Sequence, residues 1–209
     1  MNDQQAGELI KRWQKRNIRA VYCRSRKEAV EKILQEIPLS AAIGLSGSLT
    51  LSELKLVEKL KERGNKIYDQ NQPGLSREES LALRKQGSLA EYYLVSPNAI
   101  SENGELVFFS AYGNRTAGVA YADKLIVVSG INKIAADLAQ AVKRAREFAT
   151  PLNCKRLGWK TPCLDDGICR EEACRFPEYK RMCCQVLIIE AEIIPERIKV
   201  FLVDEELGF

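Results

Sequence analysis

Along residues 3–16 the apolar positions Ala6, Leu9, Ile10 and Trp13 recur at the spacing of one helix face, with Asp3 ahead of them as the expected N-cap. Residues 18–22 then switch to a β-rich strand pattern. Ser25 and Glu28 frame a capping box for a helix that buries Ala29, Val30, Ile33, Leu34 and Ile37 before Pro38 stops it. Ala41 to Leu45 is a short apolar strand, Ser46-Gly47-Ser48 a small-residue loop, and Thr50 with Glu53 reads as the capping box of the next helix. That helix turns Leu54, Val57 and Leu60 inward and ends at Gly64. Residues 66–68 form a strand and residues 69–74 a polar loop. A further capping box, Ser76 with Glu79, opens a helix to about Lys85, closed by Gly87 ahead of the strand Tyr92 to Val95. Strand and helix alternate, which requires crossover connections. The fold class predicted is therefore α/β, a mainly parallel Rossmann-like sheet with helices on both faces.

The second half continues the pattern and then loses it. Residues 98–105 read as a polar turn, Leu106 to Phe109 as an almost wholly apolar central strand, and Leu125 to Val128 as another buried strand. Asn132 is the expected N-cap of a long helix that offers Ala136, Leu138, Ala141, Val142 and Phe148 as apolar contacts. From Pro151 periodicity fades: residues 151–184 form a Cys-rich loop flap or small subdomain on one α/β domain spanning 1–209. Gln185 to Ile189 and Arg197 to Val203 are expected to close the chain as a strand pair.

Composition narrows the function classes. The chain has 45% hydrophobic and 29% charged residues, and no apolar run approaches the roughly 18 residues of a membrane span, so no membrane insertion is expected. The start of the sequence is polar and lacks the pattern of a secretory signal, which points to a cytoplasmic location. Net charge is +4 with acids interspersed, and the basic residues between Lys143 and Arg181 lack interleaved aromatics, so nucleic acid is not implied. There is no histidine. A Ser-His-Asp triad, a Cys-His pair and a His-ligated metal are excluded, leaving proton transfer to carboxylates, lysine, tyrosine or cysteine.

Two constellations carry chemistry. Gly44, Ser46, Gly47, Ser48 and Thr50 combine turn-permitting glycines with hydroxyls beside a helix start, a combination suited to a phosphate or carboxylate. Ligands of open α/β sheets bind outside the carboxyl ends of the strands, which adds Asn98, Glu102, Gly104, Arg115, Asn132 and Lys133 as candidate lining. Glu102, Glu105 and Lys133 are the candidate catalytic groups. The second constellation is sulfur: six of the seven cysteines fall between Cys154 and Cys184. Cys163, Cys169, Cys174 and Cys183 suffice for zinc or an iron–sulfur cluster, although neither zinc-ribbon nor ferredoxin spacing is present. A disulfide framework and thiols packed as small apolar residues are the alternatives.

The motifs Ile43-Gly44-x-Ser46-Gly47-Ser48-x-Thr50-Leu51-x-Glu53, Asn98-Ala99-Ile100-x-Glu102-x-Gly104, Gly113-Asn114-Arg115, Val128-x-Gly130-x-Asn132-Lys133 and Thr161-Pro162-Cys163 resemble those of the lactate-utilisation (LUD) domain family, as does the closing Glu206-Leu207-Gly208-Phe209. The resemblance spans nearly the whole chain. It implies the fold shared by glucosamine-phosphate isomerases, ribose-phosphate isomerases and CoA transferases, and a part in oxidising lactate or a related 2-hydroxy acid alongside iron–sulfur partner subunits. It assigns no catalytic residue. The family's cysteine pattern matches Cys163, Cys169, Cys174 and Cys183, but four residues separate Cys169 from Cys174 where relatives often have two. Two other classes stay open. One is a sugar-phosphate isomerase-like enzyme using Glu102 or Glu105, and the other a non-catalytic subunit docking on an iron–sulfur partner through the flap. Edge strands left exposed suggest a homodimer.

Overall fold

The computed structural model describes all residues 1–209. In chain order the elements are α1 (Asp3–Lys15), β1 (Arg19–Cys23), α2 (Arg26–Glu36), β2 (Ala42–Leu45), α3 (Leu49–Glu53), α4 (Leu56–Glu62), β3 (Lys66–Tyr68), α5 (Arg77–Ser88), β4 (Tyr92–Val95), β5 (Ala99–Ser101) and β6 (Leu106–Ser110). They continue with α6 (Asn114–Tyr121), β7 (Lys124–Gly130), a 3-10 turn (Ile131–Lys133), β8 (Ile134–Ala135), α7 (Leu138–Arg144), a π-turn (Ala145–Ala149), α8 (Thr150–Leu157), β9 (Gln185–Ile189) and β10 (Ile198–Val203).

The α/β reading holds. Six strands pair in the order β1-β10-β7-β4-β2-β3, parallel throughout. One face packs Ala29, Ile33, Leu51, Leu56 and Leu60 of α2, α3 and α4 against Ile43, Leu94, Val128 and Phe201 of the sheet. The other face packs Leu9 and Trp13 of α1 and Val119 of α6 against Tyr93, Leu125, Val127 and Val200. β2 has β3 on one side and β4 on the other, so the chain reverses its direction of travel across the sheet there, and a crevice opens at the carboxyl ends.

A second sheet, β8-β5-β6-β9, is mixed. It corrects two expectations. Leu106 to Phe109 is apolar because both its faces are covered, Leu106 and Phe108 by the main core and Val107 and Phe109 by Ala141 and Ala145 of α7 and the π-turn. It is an inner strand of this small sheet, not of the parallel one. The two C-terminal strands do not pair with each other: β9 adds to β6, whereas β10 inserts between β1 and β7. Ala99 to Ser101, read as turn, is strand β5.

Helix starts differ locally. Asn2, not Asp3, caps α1, accepting from Gln5 N while Gln5 answers to the cap backbone. The boxes at Ser25 and Ser76 cap as expected at the serine, with the reciprocal glutamate contact complete at Glu79. Thr50 caps nothing. Ser48 is the cap of α3, and the helix breaks at Lys55, whose φ is 49°, before α4 resumes. Gly64 stops α4 as expected, in the left-handed region at φ 95°. Asn132 begins no helix either; it sits in the 3-10 turn, and Asp137 caps α7 instead. Gly87, expected to end α5, lies within it.

Candidate functional site

At the crevice beyond β2, β4 and β7 the loop 46–49, the segment 96–98 and the 3-10 turn meet. Their meeting point is Thr50. Buried in the first turn of α3, its hydroxyl donates to Leu207 O at 3.2 Å and accepts from Ser96 Oγ at 3.1 Å and Lys133 Nζ at 2.9 Å. Lys133 also donates to Ser96 Oγ at 2.8 Å and Pro97 O at 3.3 Å. All three of its partners are neutral. Burial is the main cause that pushes its pKa down to about 7, with Arg144 and Arg115 adding repulsion and Glu53 opposing them.

Arg115 enters from the first turn of α6. It donates to Asn98 Oδ1 and Phe109 O at 3.1 Å each and to Gly47 O at 2.7 Å, again without a carboxylate partner. Asn98 holds it in place by accepting from Phe109 N at 2.9 Å as well. Arg144 donates to Asn98 O at 2.8 Å and brings a third positive charge near. The resulting cavity, about 40 Å³, is lined by Gly47, Ser48, Thr50, Ser96, Asn98, Arg115, Lys133, Asn153 and Phe209, and by no Asp or Glu side chain. It shares Gly47, Arg115 and Asn153 with a roomier hollow of about 150 Å³, walled by Arg84, Tyr112 and Trp159. Ser46, 3% exposed, lines that hollow with a hydroxyl that has no partner. Unpaired cations and an unpaired buried hydroxyl favour an anion with hydrogen-bonding oxygens.

The other nominated residues serve the frame. Gly44 is a strand residue, and a Cβ there would lie 1.8 Å from Gly87 O, so it is required for contact between β2 and α5, not for a loop. Asn132 clamps the tail, accepting from Leu207 N and donating to Gly208 O at 3.1 Å each. Glu53, read as a capping partner, accepts from Gly208 N at 2.8 Å. Glu102, Gly104 and Glu105 are not gathered with the cavity. Gly104 O accepts from Trp13 Nε1 at 2.9 Å, Glu105 pairs with Arg16 at 2.6 Å and bonds Ser101, and Glu102 lies exposed beside α1. A carboxylate base for sugar-phosphate isomerisation is thus absent from the lining. Sequence reading missed Ser96 and Pro97, although they directly follow a buried strand, and Asn153, for which no local signal exists.

The sulfur atoms form a separate group. Cys154, Cys163, Cys169, Cys174 and Cys183 line one cavity of about 20 Å³, while Cys23 is buried in the main core and Cys184 is exposed. All are free thiols. Burial pushes Cys154 up to about 12 and raises Cys169 and Cys174. No three Cys, Asp or Glu side chains are placed here to hold a metal ion without movement.

The sequence model of the LUD domain matches residues 6–203, and the chain belongs to that family. A DUF162 family protein from Deinococcus radiodurans superposes with a TM-score of 0.54 at 12% identity, over 96% of each chain, which shows a shared fold. Ribose 5 phosphate isomerase A from Neisseria gonorrhoeae gives a TM-score of 0.35 at 16% identity over 54% of each chain. No curated protein matches.

Proposed function

We propose that this LUD protein binds a small carboxylate of the 2-hydroxy or 2-oxo acid class in the cavity of Lys133 and Arg115 and assists oxidation of lactate or a related 2-hydroxy acid. One observation carries the reading: two cations without carboxylate partners converge on a cavity that no acidic side chain lines. A fixed guanidinium suits a planar carboxylate, and Arg115 already has its orientation set by Asn98 and Gly47. Lys133 adds charge to the cavity wall, and Ser48, whose hydroxyl accepts from Leu51 N at 3.3 Å, keeps its own proton to donate to a ligand oxygen. Converting the CH–OH group to C=O breaks one C–H and one O–H bond and releases two electrons and two protons; the protons pass to solvent, and we assign the electron acceptor to an iron–sulfur partner subunit.

Thermal unfolding with lactate, pyruvate, inorganic phosphate and a sugar phosphate tests the reading. A ligand at 100 times its Kd should add about 2.7 kcal/mol of stability. Stabilisation by lactate or pyruvate that Arg115→Ala abolishes supports it. A protein indifferent to every 2-hydroxy and 2-oxo acid, or responsive to sugar phosphates alone, overturns it.

A further inference from the structure

Between α8 and β9 the chain has almost no apolar core of its own. Residues 160–184 contain one 3-10 turn, leave Ile168 and Phe176 57% and 85% exposed, and bury only Thr161 and Cys163. Hydrophobic burial on that scale does not order a segment of such length, and small modules of this kind are held by cross-links or metals. What the segment converges on is sulfur. Cys163, Cys169, Cys174 and Cys183 come from four separate points of irregular backbone and line one cavity, which the helical residue Cys154 floors.

The surroundings of those thiols are cationic. Arg146, Arg170 and Arg181 line the same cavity, and Arg181 Nε donates to Cys183 Sγ at 3.4 Å. Glu171 is the one carboxylate in the lining, and Arg146 and Arg181 both hold it at 2.5 Å, while Arg170 pairs with Asp166 beside the cavity, so three guanidiniums face two carboxylates and one positive charge is left over. Cysteines that serve as apolar filler need no guanidiniums around them; thiolates do. We infer that Cys163, Cys169, Cys174 and Cys183 together bind a thiophilic metal centre, zinc or an iron–sulfur cluster, through four thiolates whose negative charge the arginines offset. Bringing the sulfurs to about 2.3 Å from a metal moves only irregular backbone. Cys154, fixed in α8 with its Sγ 3.8 Å from Met182 Sδ, stays outside the set. The centre would lie across α8 from the anion cavity: Asn153 lines the latter, Thr150 and Cys154 the former. The inference does not depend on the anion site, since metal content is read without any ligand.

The full-length protein, purified without air, is analysed for zinc and iron and scanned in the visible. Near-stoichiometric zinc in a colourless protein, or iron with visible absorption, supports the centre and tells the two apart. Cys169→Ser and Cys183→Ser should each lower metal content at least fivefold, whereas Cys23→Ala, in the main core, should keep it. Because a serine variant can misfold, the unsubstituted protein is also alkylated before and after treatment with EDTA under air. The four thiols should label only after metal removal, with Cys23 protected throughout. Protein that purifies without metal and labels at all four thiols at once overturns the inference, as does metal that survives both serine substitutions.

Discussion

At Lys133 the ammonium donates to two hydroxyls and a carbonyl, none of them charged, so the fold supplies hydrogen bonds but no counter-ion. The pKa consequence has a definite sign. The folded value, about 7, lies below the ordinary lysine value, so between pH 7 and about 10 the unfolded chain binds more protons and stability rises with pH. Lys133→Met should flatten that rise in unfolding curves taken across the window. An anion beside Lys133 favours the charged form, so its affinity should be highest below pH 7 and fall as pH rises through it, measured by calorimetry with pyruvate. In Lys133→Met the affinity should drop at least tenfold, about 1.4 kcal/mol, and lose its pH dependence. Lys133 and Arg115 line the cavity because each stands a few residues beyond the end of a strand, Lys133 in the 3-10 turn after β7 and Arg115 in the first turn of α6 after β6. Glu102 and Glu105 obey the same rule yet miss the cavity, since β5 belongs to the second sheet, and which sheet a three-residue strand joins is decided by long-range pairing.

Among the elements, β2 and α5 approach so closely that glycine faces glycine. A Cβ at Gly44 would lie 1.8 Å from Gly87 O and 2.8 Å from Tyr93 Cδ2, and a helix carbonyl has no room to step aside. Gly44→Ala should therefore destabilise by about 3 kcal/mol in urea unfolding. Gly7→Ala, inside α1 with nothing within 4 Å of the new methyl, should stabilise by up to about 1 kcal/mol. Strands and helices whose period is local were legible: β3 and β4 lie on the predicted residues, and Ser76 caps α5. The failures share one cause. The apolar run of β6, the amide of Asn132 and the hydroxyl of Thr50 all answer to partners remote in sequence, namely the small sheet's two covers and the C-terminal tail. Asn132→Ala, by releasing that tail, should cost about 1–2 kcal/mol and weaken anion binding with it, read from unfolding and titration of the same variant.

For the molecule as a whole, the decisive feature is the position of β10, the last strand in sequence and second in the sheet, with β1 and β7 hydrogen-bonded to its two sides. The tail beyond it carries Leu207, fully buried, and Phe209, which lines the cavity of Lys133 and Arg115. A chain ended after Glu206 should therefore lose thermal stability and pyruvate affinity together, whereas a disturbance confined to the outer edge strand β3 should leave affinity intact. On a ribosome this arrangement has a temporal meaning. β1 is made long before β10 yet has no neighbour in the sheet until residues 198–203 are released, so a nascent chain carries the open edge of β1 over that whole interval and, once residues 124–130 are out, that of β7 as well. β3, β2, β4 and β7 can pair as they are made, but β1 joins the sheet only once β10 is available, and until then a chaperone has both strand edges to cover.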